Sequence, residues 1–239
     1  MLGTQVLLDA AREKRVKRFL HISTDEVGGD IPPGEYFRED SPLAPISPYA
    51  ASKAAAEHMV KAAAHTFGMD VVITRTSNNY GPYQFPEKLI PLALGNAIEG
   101  KPIPVYGDGL QVRDWIHVAD NCRALITVLQ SGRAGATYHI GGGSQITNLD
   151  LLRRLLKILG RPESLLTSVT DRLGHDRRYA VDCALVRGEL GWAPEISLED
   201  GLRMTADWYR SNPEWIAHAT SGEYRTYYER VYGRQHASG

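Results

Sequence analysis

The sequence predicts an α/β protein built on a parallel sheet, followed by a smaller lobe. Two short apolar segments, Arg18-Phe19-Leu20-His21-Ile22 and Val71-Val72-Ile73, have the length and composition of buried strands. Each runs into polar residues, Ser23-Thr24-Asp25-Glu26 after the first and Thr74-Arg75-Thr76-Ser77-Asn78-Asn79 after the second. Between them, Tyr49 to Phe67 is Ala-rich and uninterrupted, the pattern of a crossover helix. Polar residues at strand ends are where open α/β sheets place their chemistry.

The remaining elements follow in order. Met1-Leu2-Gly3-Thr4 leads into Val6, Leu7, Leu8, Ala10 and Ala11, an amphipathic helix pattern rather than a signal peptide. Residues 28–48 are rich in proline, glycine and serine and read as loop, with Pro48 suited to the first position of the next helix. Lys88 to Glu99 predicts a helix, Ile103 to Tyr106 an extended piece, and Val118 to Leu129 a further helix. Thr137 to Ile140 predicts a strand stopped by Gly141-Gly142-Gly143. Capping boxes, Thr147-x-x-Asp150 and Ser197-x-x-Asp200, announce two more helices. Residues 1–80 thus read as a partial Rossmann-like unit carrying the catalytic segments, and 81–239 mainly as the smaller lobe, with some segments returning to the sheet.

Composition narrows the classes. The 239 residues are 43% apolar and 23% charged, which excludes disorder and fibre. Lys+Arg 27 against Asp+Glu 28 gives a net charge of −1, so no long-range pull toward nucleic acid or anionic membrane is expected. No stretch approaches the ~18 consecutive apolar residues of a membrane span. Cys122 and Cys183 both fall in segments read as helices and form neither a disulfide framework nor zinc spacing. A soluble protein of a reducing, cytosolic compartment is expected.

The sharpest local signal is Tyr49-Ala50-Ala51-Ser52-Lys53, which projects a phenol and an ammonium from one helix face. A lysine beside a tyrosine favours phenolate and so makes a base for a hydroxyl. Taken alone, the spacing also fits a solvated helix face. Asp25 and Glu26 could simply begin a turn. As neighbours in an extended segment they point opposite ways, so one could serve as acid and the other as base. His175 beside Asp176 has no His/Cys spacing elsewhere to support it, and no metal is expected.

Several motifs occur together: Thr24-Asp25-Glu26 after the strand, Tyr49-x-x-x-Lys53, Ser77-Asn78-Asn79-Tyr80-Gly81-Pro82-Tyr83, Phe85 to Pro91, Val112-Arg113-Asp114-Trp115, and Gly174-His175-Asp176-Arg177-Arg178-Tyr179. In this combination and order the chain resembles the dTDP-glucose 4,6-dehydratases of the extended short-chain dehydrogenase/reductases. The resemblance covers almost the whole chain. It implies NAD as cofactor, a nucleotide sugar (dTDP-glucose) as substrate, and dehydration to the 4-keto-6-deoxy sugar. By the same matching, Tyr49 takes the C4 hydroxyl proton and Lys53 holds the tyrosine acidic and bonds the nicotinamide ribose. Glu26 removes the C5 proton, Asp25 protonates the departing C6 hydroxyl, and Thr24 bonds the C4 oxygen. Ser23 and Asn79 lie toward the cofactor. Asn78, Lys88, Leu89, Pro104, Tyr106, Arg113 and Asn148 line the substrate site, with Arg172, His175 and Arg178 near the diphosphate, where guanidinium forks suit phosphate oxygens. A homodimer through helices 4–14 and 49–67 is also implied.

The chain departs from that family in one large respect. A dinucleotide site opens with a strand, a Gly-x-Gly-x-x-Gly turn and a helix that receives the pyrophosphate. Gly141-Gly142-Gly143 follows a strand but lacks this spacing and comes after the catalytic segments. At about 30 residues per βαβ unit, roughly a hundred residues of the family's first half are expected upstream of Met1, and the strand at 18–22 is expected to show an open edge. Smaller departures are Gly28 in place of a usual tyrosine and Leu173 in place of a usual proline. The alternatives are a nucleotide-sugar epimerase or decarboxylase, which would not need the Asp25/Glu26 pair, and a non-catalytic nucleotide-sugar-binding module.

Overall fold

The apolar runs become strands and the amphipathic runs become helices in the computed structural model, which describes residues 1–222 and Thr226. In chain order the elements are α1 (Leu2–Glu13), β1 (Phe19–Thr24), α2 (Pro48–Phe67), β2 (Val71–Thr76), β3 (Asn78–Tyr80), α3 (Leu89–Glu99), β4 (Ile103–Tyr106), β5 (Val112–His117), α4 (Val118–Ser131), β6 (Thr137–Ile140), β7 (Gln145–Thr147), α5 (Asn148–Leu159), β8 (Leu166–Val169), α6 (Ala184–Leu190), α7 (Leu198–Ser211) and α8 (Pro213–Ala219). They divide into two units. The first comprises Met1–Asn79, Gln111–Ile146 and Gly174–Leu198, and the second Tyr80–Leu110, Thr147–Leu173 and Glu199–Gly239.

The first unit is a parallel sheet of order β1-β2-β6. Phe19 lies opposite Val71 and Thr24 opposite Thr76, so the polar ends of β1 and β2 finish level with each other. Side chains alternate across the sheet. Phe19, Val71 and Ile73 pack with Leu8 of α1 and with Val60 and Ala63 of α2. Leu20, Val72, Tyr138 and Ile140 pack on the other face with Ala124, Val128, Val186 and Trp192. Cover on both faces is what a parallel sheet requires, and β1 is the edge strand of this sheet. In a further sheet β5 lies between β3 and β7.

Local chemistry sets the ends of α2. The Ser47 hydroxyl accepts the Ala50 amide at 3.1 Å, Pro48 opens the helix, and Gly68 closes it at φ 65°. The first two glycines of the run after β6 are closely packed. A Cβ at Gly142 would run into the Trp115 carbonyl oxygen, and one at Gly141 into the Asp114 carboxylate.

In the second unit β4 and β8 pair in parallel, and α3 packs against α5. Tyr83 sits against Trp208 and Trp215, with ring centroids at 4.6 and 5.8 Å, and Trp208 meets Trp215 at 5.2 Å. The Tyr209 hydroxyl donates to the Gln84 carbonyl at 2.6 Å. Two details differ from the sequence expectation. Cys183 is the residue before α6 rather than within a helix, because Asp182 Oδ1 takes the Ala184 amide and starts the helix there. At α5 the Thr147 hydroxyl accepts the Asp150 amide but also donates to the Asp150 carboxylate at 2.8 Å, so that carboxylate folds onto the hydroxyl.

Candidate active site

Thr24 is the last residue of β1, and its hydroxyl caps the short 3-10 turn Asp25–Gly28 by accepting the Glu26 amide at 3.3 Å. The same hydroxyl donates to Asp25 Oδ1 at 3.3 Å. Asp25 is 5% exposed, and its second oxygen has no hydrogen-bond partner among the described residues. Burial pushes the Asp25 carboxyl up to about 8, helped by the charges of Glu26 and Asp114 and opposed by Arg113 and the Thr24 hydroxyl. Asp25 is therefore a neutral acid at pH 7. Glu26, one residue on, is only half-buried.

Tyr49 and Lys53 stand one turn apart at the start of α2. Lys53 Nζ donates to the Ile22 carbonyl at 2.6 Å, which ties the helix to the end of β1. The Tyr49 phenol is pushed up from its ordinary value by burial first and then by the Glu26 charge, while the Thr24 hydroxyl pulls it down. The Lys53 ammonium bonds a main-chain carbonyl, and the charges that raise the phenol are those of Glu26 and then Asp25.

Other predicted residues gather in the same unit. Ser23 is buried at the end of β1, and its hydroxyl has no partner among the described residues; the same holds for Asn78 Oδ1 on β3. Asn79 Nδ2 donates to the Ser77 carbonyl at 3.1 Å. Arg113, 6% exposed on β5, donates to the carbonyls of Val112 and Asp176 at 2.8 and 2.7 Å and lies over the Tyr179 ring at 4.3 Å. The Tyr179 hydroxyl in turn donates to Asp176. His175 is half-buried beside Asp176. Arg178 Nη1 donates to the carbonyls of Ile31, Pro32 and Glu35, and its Nη2 donates to Gln145 at 2.7 Å. That fork anchors the loop after the 3-10 turn and is filled by acceptors of the chain itself.

Lys88, Leu89, Pro104, Tyr106, Asn148 and Arg172 belong to the second unit. Lys88 is the exposed residue before α3 and pairs with Glu87 at 3.1 Å, and Leu89 begins that helix. Pro104 and Tyr106 lie on β4, with the Arg172 guanidinium 4.9 Å over the Tyr106 ring. Asn148 opens α5. Sequence reasoning gave no role to Asp114, which accepts the Ser144 amide at 2.6 Å from the glycine turn, nor to the buried pair Glu57 and Arg75. Glu57 continues the Tyr49, Lys53 stripe at the same spacing, and that was the available signal. Among the described residues no three His, Cys, Asp or Glu side chains gather as a metal site, and no helix is long and apolar enough to cross a membrane.

Residues 1–205 match the family model described as GDP-mannose 4,6 dehydratase. The chain belongs to that family. Within this dehydratase family it is 54% identical over 215 residues to a dTDP-glucose 4,6-dehydratase of Actinoplanes sp., covering 90% of this chain and 67% of the relative. A crystal structure of a dTDP-glucose 4,6-dehydratase from Streptomyces venezuelae, with NAD bound, superposes with a TM-score of 0.89 at 50% identity, covering 91% of this chain and 67% of that one. The enzyme of the same name from Bacillus anthracis, in complex with NAD, gives 0.88 at 44% identity, covering 92% and 70%. The chain thus spans about two thirds of the length of these dehydratases.

Proposed function

We propose that this chain carries the reacting residues of an NAD-dependent dehydration of dTDP-glucose to the 4-keto-6-deoxy sugar nucleotide and water. The carrying observation is the unlike pair Asp25 and Glu26, both within electrostatic reach of the Tyr49 phenol. Epimerisation and decarboxylation have no use for a buried neutral acid beside a second carboxylate. When bound, NAD+ supplies the oxidant at C4 and the reductant at C6. Tyr49, as its phenolate, accepts the C4 hydroxyl proton while Thr24 bonds the C4 oxygen. Glu26 takes the C5 proton, made acidic by the new C4 ketone, as Asp25 gives its proton to the C6 hydroxyl that leaves as water. Glu26 then returns its proton to C5. Tyr49 has gained one proton and Asp25 has lost one, so the balance closes by exchange with solvent.

The residues fit the nicotinamide end of the cofactor. Tyr49, Lys53 and Asn79 lie at the ends of parallel strands and the helix between them, and the orphaned buried hydroxyl of Ser23 is a group a ligand would satisfy. The glycine run at 141–143 is not a pyrophosphate cradle, because Asp114 and the backbone of Trp115 fill the space at Gly141 and Gly142. A second reading is a chain that binds the nucleotide sugar without turnover.

In the first unit, substrate contacts are assigned to Asn78, Arg113 and His175, with Arg178 holding the adjacent loop. A homodimer is part of this reading, supported by the exposed Leu2, Val6 and Leu7 on α1. The cytoplasm suits the two free thiols, Cys122 and Cys183.

Titrating the chain with NAD+ by calorimetry and then adding dTDP-glucose tests both readings. Saturable NAD+ binding with keto product supports the dehydratase. Sugar-nucleotide binding with no NAD+ binding replaces it with the binding module.

A further inference from the structure

Beneath α2 the sheet carries a buried polar layer that the reaction does not use. Glu57 is 0% and Arg75 1% exposed. Arg75 Nε lies 3.0 and 3.2 Å from the two Glu57 oxygens, and Nη2 lies 2.8 Å from Oε2, a forked pairing. Arg75 Nη1 donates to the Glu39 carbonyl at 3.4 Å and to His139 Nε2 at 3.2 Å, so that imidazole nitrogen is the acceptor. The Phe37 ring stacks on His139 at 5.0 Å and receives the Arg75 guanidinium at 5.0 Å. Taking two charges out of water is expensive, and an apolar pair of similar volume would fold as well or better. Fold stability alone therefore does not explain why charges sit here.

Their position does. Tyr49, Lys53 and Glu57 recur every four residues along α2 and share one face. Arg75 lies on β2, whose chain continues directly into Asn78 and Asn79. The fork thus fixes the helix that carries the phenol and ammonium against the strand that leads to the cofactor and sugar segments. It also sets a carboxylate one turn below Lys53. Burial lowers the Lys53 ammonium, and the Glu57 charge is what opposes that fall. Also bearing on this region are His21 on β1, held neutral by burial and by Lys53, and the amino terminus at Met1, whose charge acts on the same imidazole.

We propose that Glu57, locked by Arg75, is a positioning residue that holds Lys53 in register with Tyr49 for the reaction. The proposal rests on the reading of Tyr49 as the base and of Lys53 as its neighbour at the nicotinamide end, and its first readout does not require turnover. In the full chain, [13C]methyl-lysine NMR, with Lys53→Arg for assignment, reports the Lys53 titration directly. In the double variant Glu57→Leu/Arg75→Met the melting temperature stays near that of the parent, while the Lys53 titration moves from its parent midpoint. With dTDP-glucose, kcat falls by about tenfold or more while KM stays within about threefold, the split expected when orientation rather than binding is lost. A folded double variant with an unmoved Lys53 titration and unchanged kcat overturns the proposal. Glu57→Gln, which keeps the shape and removes the charge, is the second variant; an unmoved Lys53 midpoint there overturns it whatever the double variant does. If the parent chain does not convert dTDP-glucose, the proposed function fails, and the Lys53 titration still decides this inference.

Discussion

Asp25 and Glu26 are joined by one peptide bond yet hold protons differently: the Thr24 hydroxyl bonds the Asp25 carboxyl and the Glu26 amide, and Asp25 is buried where Glu26 is not. An acid whose carboxyl is pushed up to about 8 works only below that pH. The rate of keto-sugar formation is therefore expected to fall as pH rises through about 8, and Asp25→Asn to lose about a hundredfold or more and with it that limb of the profile. Stability carries the same sign. Between the usual carboxylate value and about 8 the native state keeps a proton that the unfolded chain has released, so stability drops with rising pH across that window. Urea unfolding at either end of the window should show the drop in the parent chain and a flatter response in Asp25→Asn.

Tyr49→Phe and Glu26→Gln should fail at different stages. The first removes the base for the C4 hydroxyl and is expected to block oxidation by about a hundredfold or more. The second leaves oxidation intact and stalls elimination, so nicotinamide absorbance builds up in a single turnover without keto-deoxy product. Normal turnover by both variants would remove the roles assigned here.

The glycine turn gives a stability test free of any cofactor. At Gly142 a methyl group meets the Trp115 carbonyl oxygen, so Gly142→Ala should cost about 1–3 kcal/mol or more, as overpacking does. Gly143 has open space but a φ of +67°, and Gly143→Ala should cost about 1 kcal/mol from the left-handed conformation alone. Denaturant midpoints in the reverse order would mean the turn is not packed as described.

Arg178→Met removes a guanidinium that holds three carbonyls of the 31–35 loop and the Gln145 side chain. Limited proteolysis should then cut within residues 28–46 at protein concentrations where the parent is resistant. If the loop stays protected while dTDP-sugar binding alone weakens, Arg178 is a phosphate ligand and not an anchor.

His139 supplies an acid-side test. Burial, with the neighbouring Arg75 charge, lowers it to about 3. The unfolded chain thus binds a proton that the native state refuses between the ordinary imidazole value and about 3, and stability is lost as pH falls through that range. His139→Asn should show a shallower loss by thermal melts in the same buffers.

The sheet was legible because Phe19–Thr24 and Val71–Thr76 are short, apolar and end in hydroxyls and carboxylates, and because Pro48 and Gly68 punctuate the helix between them. Asp25, Glu26, Tyr49 and Lys53 could be found from spacing, since residues close in sequence are close in space. What could not be read was how each charge is used. Lys53 turns to the Ile22 carbonyl and Arg178 to three carbonyls of a loop more than a hundred residues away, and no local pattern encodes an acceptor so distant in sequence. The Glu57–Arg75 fork was missed for the same reason: an interior Arg and Glu look like surface charges until strand register brings them face to face.

The four tryptophans fall two to a unit: Trp115 and Trp192 in the first, Trp208 and Trp215 in the second. The second pair stands edge to face with each other, and both rings lie against Tyr83, a geometry that couples their electronic transitions. Near-ultraviolet circular dichroism will therefore be weighted toward the second unit. Emission from Trp115 and Trp192, isolated by Trp208→Phe/Trp215→Phe, will report the first. With two optical signals in one polypeptide, a melt can be read unit by unit, and coincident or staggered curves will say whether the chain unfolds in one cooperative step or two.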